Sequence, residues 1–382
     1  VHTINTLPKL LWIRQHEPDV WAAADRFLLV EDYLIGHLTG EPFTSDCLAS
    51  RTQLYDLATG AWSNEILDAI ELAPERLAEV APSGSAVGRL TPRLAETLGL
   101  TSPPVVVTGG HDQACGALGV GLTEPGLAMV SSGTAEVVEV ALGSPVVSSP
   151  LYEGNISVYR ATVPGLFLAM TLNHSGGLAL RWFRDGFCEP QLARASDSGD
   201  DAYDLMLDGA SADPSGLLVL PHFAGAGTPT FDTASRGAIL GLTFSTSRTD
   251  LAKAILEGLT YELRLNLDLL RDGGVAIDVL RAIGGGAKSA LWLQLKADIT
   301  GIPVITPRVT EAAAFGASLL AGTGVGLWPS AADGAGRFLE LTDTYEPDAA
   351  RHAAYTRLYE EYRAVYPAVA PISRRLQAAS AA

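Results

Sequence analysis

The sequence predicts an α/β protein. Strand-like segments at 105–107, 166–172 and 279–283 each lead into a glycine turn that opens a helix, at Gly109-Gly110, Gly176-Gly177 and Gly284-Gly285-Gly286. Between the last two lies a helical stripe of Leu251, Ile255, Leu259, Leu263 and Leu267. Strands alternating with helices indicate a sheet covered by helices.

The elements follow in order. An amphipathic helix is expected over 7–16 and a second over 27–38, closed by Thr39-Gly40. A mixed region with Pro74, Pro82 and Pro92 leads to the strand at Val105. After it, Gly116 and Gly119 allow close helix packing. Thr123-Glu-Pro-Gly126 is a candidate domain boundary, followed by strands at 127–131 and 135–142 around the turn Ser132-Gly133-Thr134. Further strands are expected at 155–160 and 166–172, and a helix opens at Ser175-Gly176-Gly177. Residues 197–213 are acidic and read as a surface stretch. A short strand over 217–221 precedes a loop, and the helix over 247–270 starts with a capping-box-like Ser247 and Asp250. Lys253, Glu257 and Asp268 lie off its leucine stripe. The uncharged run 312–328 reads as a buried helix and a glycine-rich turn, not a membrane span. The end, 378–382, is expected to fray.

Composition bounds the function. With 382 residues the chain is long enough for two domains, and 47% hydrophobic content can fill a large core. The formal net charge is -17, from 43 acidic against 26 basic residues. That excess argues against nucleic acid and anionic membranes as partners. Cys47, Cys115 and Cys188 are scattered without a CxxC pair, so neither a disulfide framework nor a zinc site is expected, and a reducing cytoplasm fits. No signal peptide is expected at the start of this sequence. The chain opens at Val1, already near a helical pattern, and is expected to be a fragment whose beginning is missing.

Asp112 is the only carboxylate between Val105 and Thr123. Ligands of α/β folds bind beyond the carboxyl ends of strands, where a carboxylate can take a proton from a substrate. The alternative is that Asp112 caps the following helix. His111 either contacts a substrate hydroxyl or fills the turn. Backbone N–H groups of the 131–135 turn can cradle a phosphate, with Thr134 adding a hydroxyl, although an ordinary hairpin has the same pattern. The glycines of 284–289 let backbone approach a base or phosphate at a helix N-terminus. Lys288 there either binds phosphate or is solvated. The 284–289 segment is neither a Walker A loop nor GxGxxG, and the chain has no GxSxG elbow. The loop 223–232 reads as structural, with Asp232 capping a turn. The histidines lack metal-ligand spacing, and no metal-ligating residue is assigned.

These residues resemble the FGGY carbohydrate kinases. Leu7-Pro-Lys9-Leu-Leu-Trp12-Ile-Arg-Gln-His16 is similar to that family's first signature, with Ile4 departing from its usual opening residue. Gly237-Ala-Ile-Leu-Gly241-Leu242, seven residues, then Asp250-Leu-Ala-Lys-Ala254-Ile-Leu-Glu257 matches its second signature throughout. Glu31-Asp-Tyr-Leu34 with Leu38-Thr-Gly-Glu41 is similar to its xylulose-kinase members. The resemblance runs from about Thr6 to Tyr366.

The resemblance implies an actin-like, ribonuclease-H-like ATPase fold: two α/β domains around a cleft, the first incomplete. Residues 1–122 would be a partial N-terminal sugar-binding domain, 123–326 the nucleotide-binding domain, and 327–382 a helical extension and tail. It implies ATP-dependent phosphorylation, with Mg²⁺, of a sugar hydroxyl: a ketose such as xylulose, or a related polyol or aldonate. Asp112 would be the general base, and His111 and Asp112 would contact the sugar. Gly133, Thr134, Gly177, Arg181, Gly285, Gly286 and Ala287 would bind nucleotide. Arg181 and Ala290 replace a glutamine and an asparagine of glycerol-kinase members. Nothing matches the family's initial Asp-x-Gly-Thr strand, so the chain by itself is expected to be inactive. A homodimer is left open, and the rival reading is a non-catalytic actin-like nucleotide-binding or regulatory protein.

Overall fold

A computed structural model describes residues 4–380. The chain forms two lobes. The second is built on a seven-stranded sheet of β1 (Leu127–Ser132), β2 (Glu136–Leu142), β3 (Ser157–Arg160), β4 (Phe167–Asn173), β5 (Val279–Ile283), β6 (Val304–Pro307) and β7 (Leu341–Tyr345), in the order β7-β6-β5-β1-β2-β4-β3. β5 is parallel to both β1 and β6, whereas β1, β2, β4 and β3 pair antiparallel in succession.

Both faces of the sheet are covered, as its apolar strands require. Side chains alternate along β1. Ala128 and Val130 pack against Leu263, Leu267 and Leu293, whereas Leu127 and Met129 face Ala114, Ala117 and Ala312. The first set of partners comes from α4 (Arg248–Asp272) and α5 (Ala290–Thr300), the second from α1 (Asp112–Gly119) and α6 (Ala312–Gly324). Three further helices matter below: α2 (Gly177–Phe187), α3 (Ala202–Leu207) and α7 (Ala349–Ser380).

The expected capping box of α4 is present. Asp250 N donates to Ser247 Oγ at 3.1 Å, and Ser247 N donates to Asp250 Oδ2 at 2.9 Å. Its polar residues add what the stripe did not show. Lys253 and Glu257, off the leucine stripe, are buried and ion-paired at 3.0 Å. The tyrosines of α7 cover that side, and Tyr355 OH donates to Glu257 Oε1 at 3.0 Å. Residues 327–382, expected as an extension and tail, supply the edge strand β7 and the core residues Tyr355, Tyr359 and Tyr362. Of the end expected to fray, 378–380 is helical and 381–382 lies outside the described residues. The 197–213 stretch is also more than surface, since α3 buries Met206 and Leu207.

The first lobe has only two-stranded pairs: Phe43–Ser45 with Glu79–Ala81, Tyr55–Asp56 with Ala61–Trp62, and Ala86–Arg89 with Val105–Val107. Its small core gathers Leu10, Leu54, Leu67, Ile70, Leu72 and Leu77. The helix expected over 27–38 spans Val30–Thr39, because Asp32 accepts the Leu29 N–H at 2.8 Å and starts it later.

Helices α1 and α6 join the lobes. They cross so closely that a Cβ at Gly119 would strike the Ala312 carbonyl, and one at Gly316 the Cys115 carbonyl. Gly324 of α6 then packs on Val107 of the first lobe. Gly316→Val is therefore expected to destabilise the chain by about 1–3 kcal/mol, the usual range for overpacking. A thermal melt followed by near-ultraviolet circular dichroism checks this; an unchanged midpoint would mean the helices have room to spare.

Candidate active site

The Asp112 turn is pinned by a carboxylate from the first lobe. Glu31 Oε1 accepts the Gly109 N–H at 2.6 Å, while its Oε2 accepts from Ser45 N and Ser45 Oγ at 3.0 and 2.8 Å. A Cβ at Gly110 would lie 2.5 Å from Thr162 Cγ2, so only glycine passes there. His111 then occupies the N-cap position of α1, and Asp112 is the first helical residue. The capping alternative thus falls to His111, without a side-chain bond. Asp112 is 73% exposed at its side chain and accepts from Gln113 N at 2.7 Å.

Behind this turn lies a group that sequence reasoning missed. His111 Nε2 is 3.3 Å from Asp112 Oδ1, and its ring meets Tyr159 edge-on with centroids 5.9 Å apart. Burial, with the Arg51 guanidinium in support, pushes the His111 pKa down to about 4 against the pull of Asp112. Tyr159 OH donates to Glu139 Oε1 at 2.6 Å, and the Arg51 guanidinium sits 4.5 Å from the Tyr159 ring centroid. Glu139 is fully buried, which pushes its pKa up to about 8. Its signal in the sequence was an acid inside an apolar strand.

The second and third glycine turns, at Gly176-Gly177 and Gly284–Gly286, meet elsewhere, together with the 131–135 turn, which is the first of the three turns named from here on. Gly133 and Thr134 of the first, Gly177 and Arg181 of the second, and Gly285, Gly286 and Lys288 of the third line one cavity of about 420 Å³. Asp201, Tyr203, Asp204 and Leu207, around α3, and Trp292 of α5 also line it. Arg184 stacks 4.7 Å from the Tyr203 ring centroid. The α3 residues were hidden from sequence reasoning because an acidic stretch between helices carries no periodic signal. His111, Asp112 and Ala287 do not line this cavity. Ala287 packs instead against the sheet core.

The glycines of this cavity differ in what surrounds them. A Cβ at Gly133 or Gly285 would meet protein only at 4.0 Å, leaving it free to project into the open space. A Cβ at Gly286 would lie 2.6 Å from the Trp292 ring and 2.7 Å from Ser132 Cβ, so that glycine is required by packing. The 223–232 loop is a clamp: Thr228 Oγ1 accepts from Leu172 N at 3.0 Å, and Asp232 accepts from Tyr366 OH at 2.9 Å. Among the described residues no three His, Cys, Asp or Glu side chains form a group able to hold a metal ion, and no helix is long and apolar enough to cross a membrane.

The models of the N-terminal and C-terminal domains of the FGGY family of carbohydrate kinases match residues 1–119 and 128–325. The chain belongs to the FGGY family of carbohydrate kinases. It is a sugar kinase with the actin-like two-domain fold. A xylulose kinase of Staphylococcus epidermidis is 32% identical over 364 residues, covering 94% of this chain and 71% of that one. An autoinducer-2 kinase of Salmonella choleraesuis is 31% identical, covering 95% and 69%. Among solved structures, a xyloylose kinase from Brucella ovis superposes with a TM-score of 0.83 at 30% identity, covering 96% and 73%.

The buried Glu139 makes stability depend on pH. Its folded pKa of about 8 lies above the ordinary 4.5, so the native state holds an extra proton between those values. Stability is therefore lost as pH rises through 8. Glu139→Gln keeps an acceptor for Tyr159 and cannot ionise. Its melting temperature is expected to fall less than that of the wild type between about pH 6 and 9. Parallel curves would show that Glu139 does not gain its charge in this range.

Proposed function

We propose that this sugar kinase transfers the γ-phosphoryl group of ATP to a hydroxyl of a ketose such as xylulose, with Asp112 as general base. The observation that carries the reading is the convergence of three glycine turns, Arg181 and Lys288 on one cavity. A chain of net charge -17 repels polyanions unless cations stand at the site, and Arg181 and Lys288 line this cavity beside Asp201 and Asp204. Gly133 and Thr134 would hold phosphates, Gly177 and Arg181 would contact the nucleotide, Gly285 and Gly286 would approach its adenosine, and Tyr203 offers an aromatic face to the base. The xylulose assignment rests on the relatives of that name.

Asp112 suits its role because its carboxylate is exposed beside a neutral His111. The sugar oxygen forms a bond to the γ-phosphorus as the bond to the bridging oxygen of ADP breaks, and the hydroxyl proton passes to Asp112. His111 would orient that hydroxyl. Mg²⁺ is commonly held by one or two carboxylates plus substrate phosphates and waters, so the lack of a three-ligand cluster among the described residues is consistent with it, and no step here runs through the ion. On this reading 1–122 is the sugar-side domain, 123–326 the nucleotide-side domain, and 327–382 is built onto the latter. The free, buried Cys47, Cys115 and Cys188 suit a reducing cytoplasm. No observation favours the non-catalytic reading.

Two experiments test this. In a coupled ADP-release assay of the full-length protein over ketopentoses, aldonates and polyols, Asp112→Asn is expected to lower kcat about 10²–10⁴-fold on any sugar that turns over. Retention of activity within about threefold would remove Asp112 from the chemistry. By calorimetry, Gly285→Val is expected to weaken ADP binding without lowering the melting temperature, whereas Gly286→Val is expected to lower the melting temperature as well. Undiminished ADP affinity in Gly285→Val would place the nucleotide elsewhere.

A further inference from the structure

The wall of the glycine-lined cavity rests on buried charge. Lys296 of α5 and Glu136 at the start of β2 form an ion pair, each side chain only 1% exposed. The same carboxylate oxygen, Glu136 Oε2, accepts from Ser132 Oγ at 2.6 Å. Ser132 ends β1 and lines the cavity. The Lys296 ammonium also lies 4.5 Å from the centroid of the Trp292 ring, another lining residue, whose Nε1 donates to Thr260 Oγ1 of α4 at 3.1 Å.

Stability alone does not account for this pair. Removing two charges from water is costly, and apolar replacements of similar volume are often neutral or stabilising. Position explains it better, because all three turns are referenced to Ser132 and its two successors. Gly176 N donates to Thr134 O at 2.9 Å, and Gly177 N to Gly133 O at 2.7 Å. A Cβ at Gly284 would lie 2.8 Å from the Ser132 carbonyl oxygen, and one at Gly286 would lie 2.7 Å from Ser132 Cβ. An anchored Ser132 therefore sets the first turn directly and the other two through backbone contact.

We propose that the Glu136–Lys296 pair is a positioning strut, which holds Ser132 and thereby aligns the three turns toward a bound nucleotide, the first of them toward its phosphates. The phosphate part rests on the nucleotide reading of the cavity. Neither residue lines the cavity, so both act through Ser132 and Trp292.

The test uses the whole chain as wild type, the double variant E136L/K296M, and S132A. The double variant leaves no lone buried charge, and S132A removes only the hydroxyl. Without ligand, the hydrogen-bonded amides of Gly133, Gly176 and Gly177 are expected to exchange about tenfold faster in the double variant, a difference of roughly 1.4 kcal/mol. Amides in the middle of α4 should be unaffected. In calorimetry, ADP is expected to bind about tenfold more weakly to the double variant and adenosine only about threefold, because the turn that faces the phosphates is held by Ser132 directly and the others only through it. S132A should show the same pattern at about threefold. Unchanged exchange at the three glycines overturns the strut, as does an equal loss for ADP and adenosine. If the double variant does not fold, S132A decides on the same criteria. Faster glycine exchange in a chain that never binds ADP would uphold the strut and reject the nucleotide reading instead.

Discussion

The glycine-lined cavity depends on one constraint: backbone must lie against backbone at Ser132-Gly133-Thr134. The second glycine turn is hydrogen-bonded to the carbonyls of this segment, and the third is stacked on Ser132. Contacts this close exclude side chains, which is why glycines cluster at the ends of β1 and β5 and the start of α2. The glycines divide into two kinds. Gly176, Gly284 and Gly286 are demanded by neighbouring protein atoms, whereas Gly133 and Gly285 border open space. Only the second kind leaves room for a ligand to approach the chain.

Charge is distributed with the same economy. The chain is acidic, and at the cavity Arg181 and Lys288 offset Asp201 and Asp204. At the Asp112 turn two buried neighbours are kept uncharged instead, beside the Glu31 carboxylate and the Arg51 guanidinium. Burial holds His111 neutral and Glu139 protonated at neutral pH. The exposed Asp112 carboxylate is thus open to a substrate hydroxyl, which suits a group proposed to take up a proton. Arg51 ties this arrangement to the first lobe through its stacking on Tyr159.

The two regions are linked through the sheet and its helices. Helix α1, which begins at Asp112, packs under β1 and against α6. β1 ends at Ser132 on the cavity wall. One rigid strand therefore connects the helix of the proposed base to the proposed phosphate turn, so their spacing is set by packing density, not by loops.

Much of this was legible in the sequence because it depends on local chemistry. The leucine stripe and Ser247–Asp250 pair gave away α4, the β-branched runs marked β1 and β5, and the glycine turns marked where backbone comes close. The motif resemblance located Asp112 and the three turns. What the sequence by itself determined is the identity and order of these elements, because period, capping and turn chemistry act over a few residues. Tertiary structure alone decided which of them meet. It buried Lys253 and Glu257 under the tyrosines of α7, brought Tyr203 and Asp204 from an acidic stretch to the cavity, and turned Ala287 into the core. It also paired Lys296 with Glu136 across 160 positions. No local pattern encodes such contacts, since their energy comes from desolvation and packing that exist only once the distant partners are in place.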